Sequence, residues 1–231
     1  MSYLRYSRSV ACIALAVTSL TAFAQSLDAL SNKEANAGLK AALEKGSSMA
    51  VAKLGIENGF LNNEKVKIQL PGILQQAQPL LKMTGRGQQL DDLVLSMNHA
   101  AESAVPLAKP LLMNAIRSMS VTDAKNILTG GDTSVTEFFK EKTADSLSQK
   151  FLPVVKKVTD RTHVSSQYNS VMKQASQFRV VSEKNATVEA YVTQRTLEGL
   201  YFMIGEEEKA IRQDPIGTGS AIIGKVFGIL K

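Results

Sequence analysis

The sequence predicts an all-α protein: a single-domain multi-helix bundle built around a central buried helix near the C-terminus, at about residues 187–212. Three observations predict it. Nearly every segment beyond residue 24 repeats apolar residues three and four apart, the spacing of one helix face. Only Val66-Lys67-Ile68-Gln69-Leu70 alternates at period two, and Pro71 stops it. From Thr187 to Arg212 there is no proline, and glycine occurs only at Gly199 and Gly205. The centre of that run, Leu200-Tyr201-Phe202-Met203-Ile204, is apolar on all sides, as in a helix enclosed by others.

The elements follow in order. Ser31 and Glu34 have the spacing of a capping box, which opens a helix whose face carries Leu39, Leu43, Ala50 and Leu54. Gly46, Ser47 and Ser48 interrupt it and predict a kink or a close helix contact. Gly55 to Asn63 reads as a loop, Val66 to Leu70 as a short extended piece, and Ile73 to Met83 as a second helix ended by Gly85-Arg86-Gly87. Residues 88–118 carry the longest stripe, with Leu90, Val94, Met97, Ala101, Val105 and Ala108. Pro106 and Pro110 predict a break or bend in it near residue 105. Ser120-Val121-Thr122-Asp123 opens a short helix closed by Gly130-Gly131, and Asp132 or Thr133 caps the next, which runs through Val135, Phe139, Leu147 and Phe151 until Pro153 restarts the chain. Val164, Tyr168, Val171, Met172 and Ala175 mark a further helix. Asn185 is the expected cap of the central one, although Asn185-Ala186-Thr187 also spells a glycosylation acceptor. A last segment, Ser220 to Leu230, carries Ile222, Ile223, Val226, Phe227 and Leu230.

The N-terminus reads as an export signal. Arg5 and Arg8 precede an apolar run from Val10 to Ala22, and Ala22-Phe23-Ala24 is a small-x-small cleavage pattern, which places the cut after Ala24. The run is shorter than the roughly 20 residues that span a bilayer. Residues 1–24 are therefore expected to be a signal peptide and 25–231 one helical domain, exported to the periplasm. The sole cysteine, Cys12, lies in the segment to be removed, which leaves no thiol, disulfide or thiolate ligand. Loss of Arg5 and Arg8 lowers the formal net charge from +6 to +4. The excess is scattered, its densest cluster is Lys156, Lys157 and Arg161, and tryptophan is absent. Nucleic acid is not an expected partner.

Familiar catalytic signatures are missing. His99 and His163 have no second histidine or cysteine at ligand spacing, so no metal is signalled, and phosphate-loop, dinucleotide and nucleophile-elbow motifs are absent. No cofactor is expected. The chemistry-bearing candidates are polar residues beside apolar stripes: Asn98 and Glu102, one turn apart, and Glu208 with Arg212. A buried carboxylate costs several kcal/mol unless paired. The sequence therefore predicts one polar cluster joining Asn98 and Glu102 to Glu208 and Arg212, with Asp123 and Tyr191 as neighbours. Two readings stand: internal ties with i,i+4 pairs, or a catalytic carboxylate pair, Glu102 and Glu208. Gly130-Gly131-Asp132-Thr133 offers either free amides for an anion or a helix stop followed by a cap. Ser220, Gly224 and Gly228 form a small-x-x-x-small edge, suited to docking on the core or to a membrane interface.

Several segments together carry a resemblance. They are Met97-Asn98-His99-Ala100-Ala101-Glu102, the stretch from Asp123 to Asp132, Tyr191-Val192-Thr193, Leu197-Glu198-Gly199-Leu200-Tyr201, and the stretch from Glu207 to Pro215. With them the chain, from about Leu27 to Phe227, resembles an uncharacterised family of exported bacterial helical proteins, catalogued as a domain of unknown function. The resemblance implies a bacterial source, a single helical domain and a periplasmic location; it implies no reaction, ligand or partner. This chain departs from the family at His99, where arginine is common, and at Thr133 to Thr136, where alanines usually precede the threonine. An arginine pairs with a carboxylate permanently, His99 only when protonated. The function expected is non-enzymatic: binding of an envelope protein or an apolar ligand. The alternatives are a hydrolase or lyase that uses Glu102 and Glu208, and a peripheral membrane protein held by the C-terminal segment.

Overall fold

Ser31 begins the first helix as its spacing predicts: its hydroxyl accepts from the Glu34 amide at 3.2 Å, and the Glu34 carboxylate accepts from the Ser31 amide at 3.0 Å. The computed structural model describes residues 30–176 and 187–230. The segment expected to be an export signal, and Asn185, lie outside the described residues. Among the described residues eight helices run in order: α1 Asn32–Leu54, α2 Gly72–Met83, α3 Gly87–Ser118, α4 Ala124–Leu128, α5 Ser134–Arg161, α6 Val164–Ser176, α7 Val188–Gln213 and α8 Ala221–Gly228. Among the described residues there is no strand, and no helix is long and apolar enough to cross a membrane.

Helix α7 is the post of the fold. It packs most extensively on α5 and α1, and also touches α3, α6 and α8. The Phe139 and Tyr201 rings meet edge to face at 5.7 Å across the α5–α7 contact, and the Tyr201 hydroxyl lies 3.0 Å from that of Thr143. Burial pushes the Tyr201 phenol up to about 12. One central residue departs from the expected enclosure. Phe202 is 37% exposed, while Leu200, Tyr201, Met203 and Ile204 are buried. Its ring lies under Lys65, whose Nζ is 5.5 Å from the centroid, so an ammonium covers the flank that no helix covers. Thr187, not Asn185, caps α7: its hydroxyl accepts from the Ala190 amide at 3.3 Å.

Three prolines expected to interrupt helices do not. Helix α3 runs unbroken through Pro106 and Pro110, and α5 runs through Pro153. All three prolines lie on exposed faces. A proline inside a helix costs about 3 kcal/mol, whereas each large aliphatic side chain fully buried returns about 1.5–3 kcal/mol. Beyond Pro106 the helix still buries Ala108, Leu112 and Ile116, and beyond Pro153 it buries Val155 and Val158. Packing outweighs the local penalty.

Glycines set two close approaches. Helix α1 is continuous through Gly46 and Ser47, and a Cβ at Gly46 would meet Ile204 and Glu207 of α7 at 3.5 Å, so the interruption marks a helix contact and not a break. Gly38 lets α8 dock: a Cβ there would lie 2.5 Å from Val226 Cγ2. Ile223, Val226 and Phe227 are thereby buried. The small-residue edge on α8 itself is not the approach surface. A Cβ at Gly228 would meet nothing within 4 Å, and one at Gly224 would meet only the Pro215 carbonyl at 3.8 Å.

The connector from α1 to α2 keeps the alternation seen in its sequence. Val66, Ile68 and Leu70 are buried, Lys67 is intermediate and Gln69 is exposed. No neighbouring strand receives its backbone. Side chains do.

Candidate functional site

The polar residues predicted to form one cluster divide between two sites. Asn98 and Glu102, one turn apart on the buried face of α3, both grip the α1–α2 connector. The Glu102 carboxylate accepts three backbone N–H bonds, from Asn58 at 3.0 Å on one oxygen and from Phe60 at 3.0 Å and Leu61 at 3.1 Å on the other. The Asn98 amide reproduces a strand pairing on Ile68: its oxygen accepts from the Ile68 amide and its nitrogen donates to the Ile68 carbonyl, both at 2.8 Å, with a further bond to the Val94 carbonyl. Tyr191 joins from α7 and donates to the Gln69 carbonyl at 2.9 Å. Between these holds, the fully buried Phe60 ring occupies space left by Gly199, where a Cβ would lie 2.7 Å from it. His99 stands at the rim, with Nε2 3.5 Å from Asn58 Oδ1 and 4.0 Å from Glu102. Asn58 has a left-handed backbone, φ 62°, which asparagine tolerates better than most residues.

The second site gathers at the N-terminus of α5. Thr133 is the residue before that helix, but its hydroxyl bonds the Glu137 carboxylate and leaves the helix amides uncapped. Glu208 from α7 caps them instead. It accepts from the amides of Val135 at 3.1 Å and Thr136 at 2.8 Å, and from the Thr136 hydroxyl at 2.7 Å. The first turn of α5, just beyond Gly130-Gly131-Asp132-Thr133, thus holds an internal anion, and the helix dipole favours the negative charge. Arg212 completes the arrangement. Its guanidinium donates twice to Glu208, at 3.0 and 2.8 Å, once to the Ser134 hydroxyl and once to the Leu128 carbonyl at the end of α4, both at 2.9 Å. It also stacks 5.3 Å from the Phe227 ring centre of α8. One side chain therefore ties α4, α5, α7 and α8.

The two carboxylates share no hydrogen-bond partner. Asp123 belongs to neither site; it is exposed at the start of α4, where its carboxylate accepts from the Asn126 side-chain Nδ2 at 2.6 Å. Sequence reasoning passes over Thr136, Ser134 and Phe60, whose roles depend on partners 72, 78 and 42 residues away. It also passes over Glu207, which is buried and paired with Lys53 of α1 at 2.5 Å. Its neighbour Glu206 is held below the usual carboxylate range by a hydrogen bond from Lys209.

As chemistry, these sites leave little to offer a substrate. A general acid or base must present a lone pair or proton to the reacting atom within hydrogen-bond reach. The oxygens of Glu102 and Glu208 instead face amides of their own chain. A feature of another kind is an open cleft of about 1030 Å³ between the C-terminal part of α3 and the outer face of α5, lined by Arg117, Lys142 and Lys150 and by serine and threonine side chains. Its signal in the sequence is the i,i+4 series Phe138, Lys142, Ser146 and Lys150.

Among curated proteins and solved structures, none matches this chain. A protein family does. The profile of the family described as "Protein of unknown function (DUF4197)" matches residues 29–228, which takes in all eight helices, both polar sites and the cleft. The chain belongs to that family.

Proposed function

We propose that this is an exported, non-catalytic binding protein of the bacterial cell envelope, acting through recognition of a partner or ligand. One observation carries the reading. The carboxylates best placed for acid–base work, Glu102 and Glu208, have their oxygens occupied by backbone amides, with Arg212 added at the second. Their roles are those of structural clamps. Export is supported by Arg5 and Arg8 ahead of an apolar run that ends at Ala22-Phe23-Ala24.

The test compares two carboxamide variants with the parent protein. Glu102→Gln and Glu208→Gln turn an acceptor into a donor against N–H groups, which costs about 2–4 kcal/mol of stability. On this reading both variants lower the denaturation midpoint, yet below it they still retain whatever the parent retains from envelope extract, read by native mass spectrometry. Turnover by the parent on peptidoglycan, ester or phosphoester substrates, lost in either variant at a temperature where it stays folded, would overturn the reading. Edman sequencing of the protein from a periplasmic fraction should begin at Gln25; recovery with Met1 in the cytoplasm would overturn its exported half.

A further inference from the structure

The open cleft between α3 and α5 differs from the two polar sites in that part of its hydrogen-bonding capacity is unspent. Three cations line it, Arg117, Lys142 and Lys150, and no carboxylate does. Arg117 donates its Nε to Glu44 at 3.1 Å; among the described residues the two terminal nitrogens of its fork make no hydrogen bond. Lys142 lies 5.7 Å from the centre of the Phe138 ring, which steadies its stem, and 3.0 Å from its exposed sequence neighbour Glu141, a pair of little strength. Lys150 pairs with no described residue, and the hydroxyls of Ser120, Thr122 and Ser146 are likewise unengaged.

We infer that this cleft binds a ligand carrying several phosphate groups. The inference rests on the binding reading above and gives it a ligand class. Neutral donors are as many as cations here, which suits phosphate: a terminal group offers three acceptor oxygens, and an internal or diester group offers two non-bridging ones held in a tetrahedral spread. The arginine fork matches two of those oxygens at once. Lys142 and Lys150 are two turns apart on α5, about 12 Å along the axis, wider than one phosphate group. The ligand is therefore extended, either a free polyphosphate chain or the phosphorylated headgroups of a lipid surface. The apolar side of α8 is buried against α1, so a lipid surface would be met through these cations and not through that helix.

The experiment has two arms, each run on the protein and on the double variant Lys142→Glu/Lys150→Glu. Both positions are exposed, so the variant keeps the fold, which its circular dichroism spectrum verifies. One arm titrates short-chain inorganic polyphosphate by calorimetry; the other measures co-sedimentation with phosphatidylcholine vesicles, with and without phosphatidylglycerol. Binding in either arm is expected, weakening as salt rises and at least about tenfold weaker in the variant, as reversing two contacting charges requires. Binding to polyphosphate identifies a free ligand; binding only to phosphatidylglycerol vesicles identifies a lipid headgroup. Equal binding by protein and variant, or no binding in both arms, overturns the inference. If the protein still retains a component of envelope extract while both arms are silent, this inference fails and the broader binding reading stands.

Discussion

The two polar sites solve one problem with different materials. At the connector, a buried carboxylate is satisfied by dipoles: three amides hold Glu102, and among the described residues His99 alone brings a basic group as near as 4.0 Å. At the start of α5, Glu208 has amides, a hydroxyl and a full positive charge, Arg212, whose side chain is 14% exposed. The comparison teaches that the first site holds a loop and the second holds helices. Amide dipoles suffice to shape a segment that is itself the donor. Joining four elements takes a group with donors in several directions, and the planar guanidinium supplies them.

This difference is open to attack by mutation. Arg212→Ala should have the largest effect, because it strands a buried carboxylate and unties α4 and α8 together: about 3–5 kcal/mol lost in urea denaturation, in a single transition. Glu102→Ala should cost somewhat less, about 2–4 kcal/mol, since three amides lose their acceptor but no charge is orphaned. Protection from hydrogen exchange should then collapse at Phe60 and Leu61 while α5 keeps its own. Comparable losses of protection at both sites in either variant would erase the distinction drawn here. Gly199→Ala pushes a methyl into the Phe60 ring and should cost about 1–3 kcal/mol, with the loop again the first to exchange. The smallest effect belongs to the capping box of α1. Hydrogen bonds from Lys225 and Ser31 lower the Glu34 carboxyl from 4.5 to about 2. A lowered carboxyl stabilises the fold above its unfolded value, so that contribution should fade as pH drops from 4.5 toward 2. Lys225→Met should flatten that portion of the stability profile; an unchanged slope would show that the tie between α1 and α8 carries no weight.

What was legible in the sequence was the part written in local spacing. The apolar stripes of α1, α5 and α7 and the box at Ser31 and Glu34 predicted the helices observed, and the alternation of Val66, Ile68 and Leu70 their alternating burial. The prolines misled because their cost is local while the compensation is tertiary: Ile116 and Val158, buried against other helices, keep α3 and α5 going. Phe202 misled for the opposite reason. An apolar residue in an apolar run gives no sign that its one uncovered side is met by Lys65, a lysine from the connector. Of the polar residues singled out, Asn98, Glu102 and Glu208 are buried, and a carboxylate beside an apolar stripe must find donors; Asp123 is exposed. Their grouping was not readable. Asn98 and Glu102 satisfy themselves on main-chain atoms, which carry no residue identity, and the Thr136 and Ser134 partners lie more than 70 residues from Glu208 and Arg212.

The connector is gripped by its peptide groups. Asn98, Glu102 and Tyr191 touch amides and carbonyls of Asn58, Phe60, Leu61, Ile68 and Gln69, and of these only Phe60 and Ile68 also bury their side chains fully. Drift at the outward positions, Glu57, Glu64 or Gln69, would leave the path of the segment intact. The burden of keeping it falls instead on three letters elsewhere in the chain, so the surface near the rim can be rewritten for a new purpose without refolding the molecule.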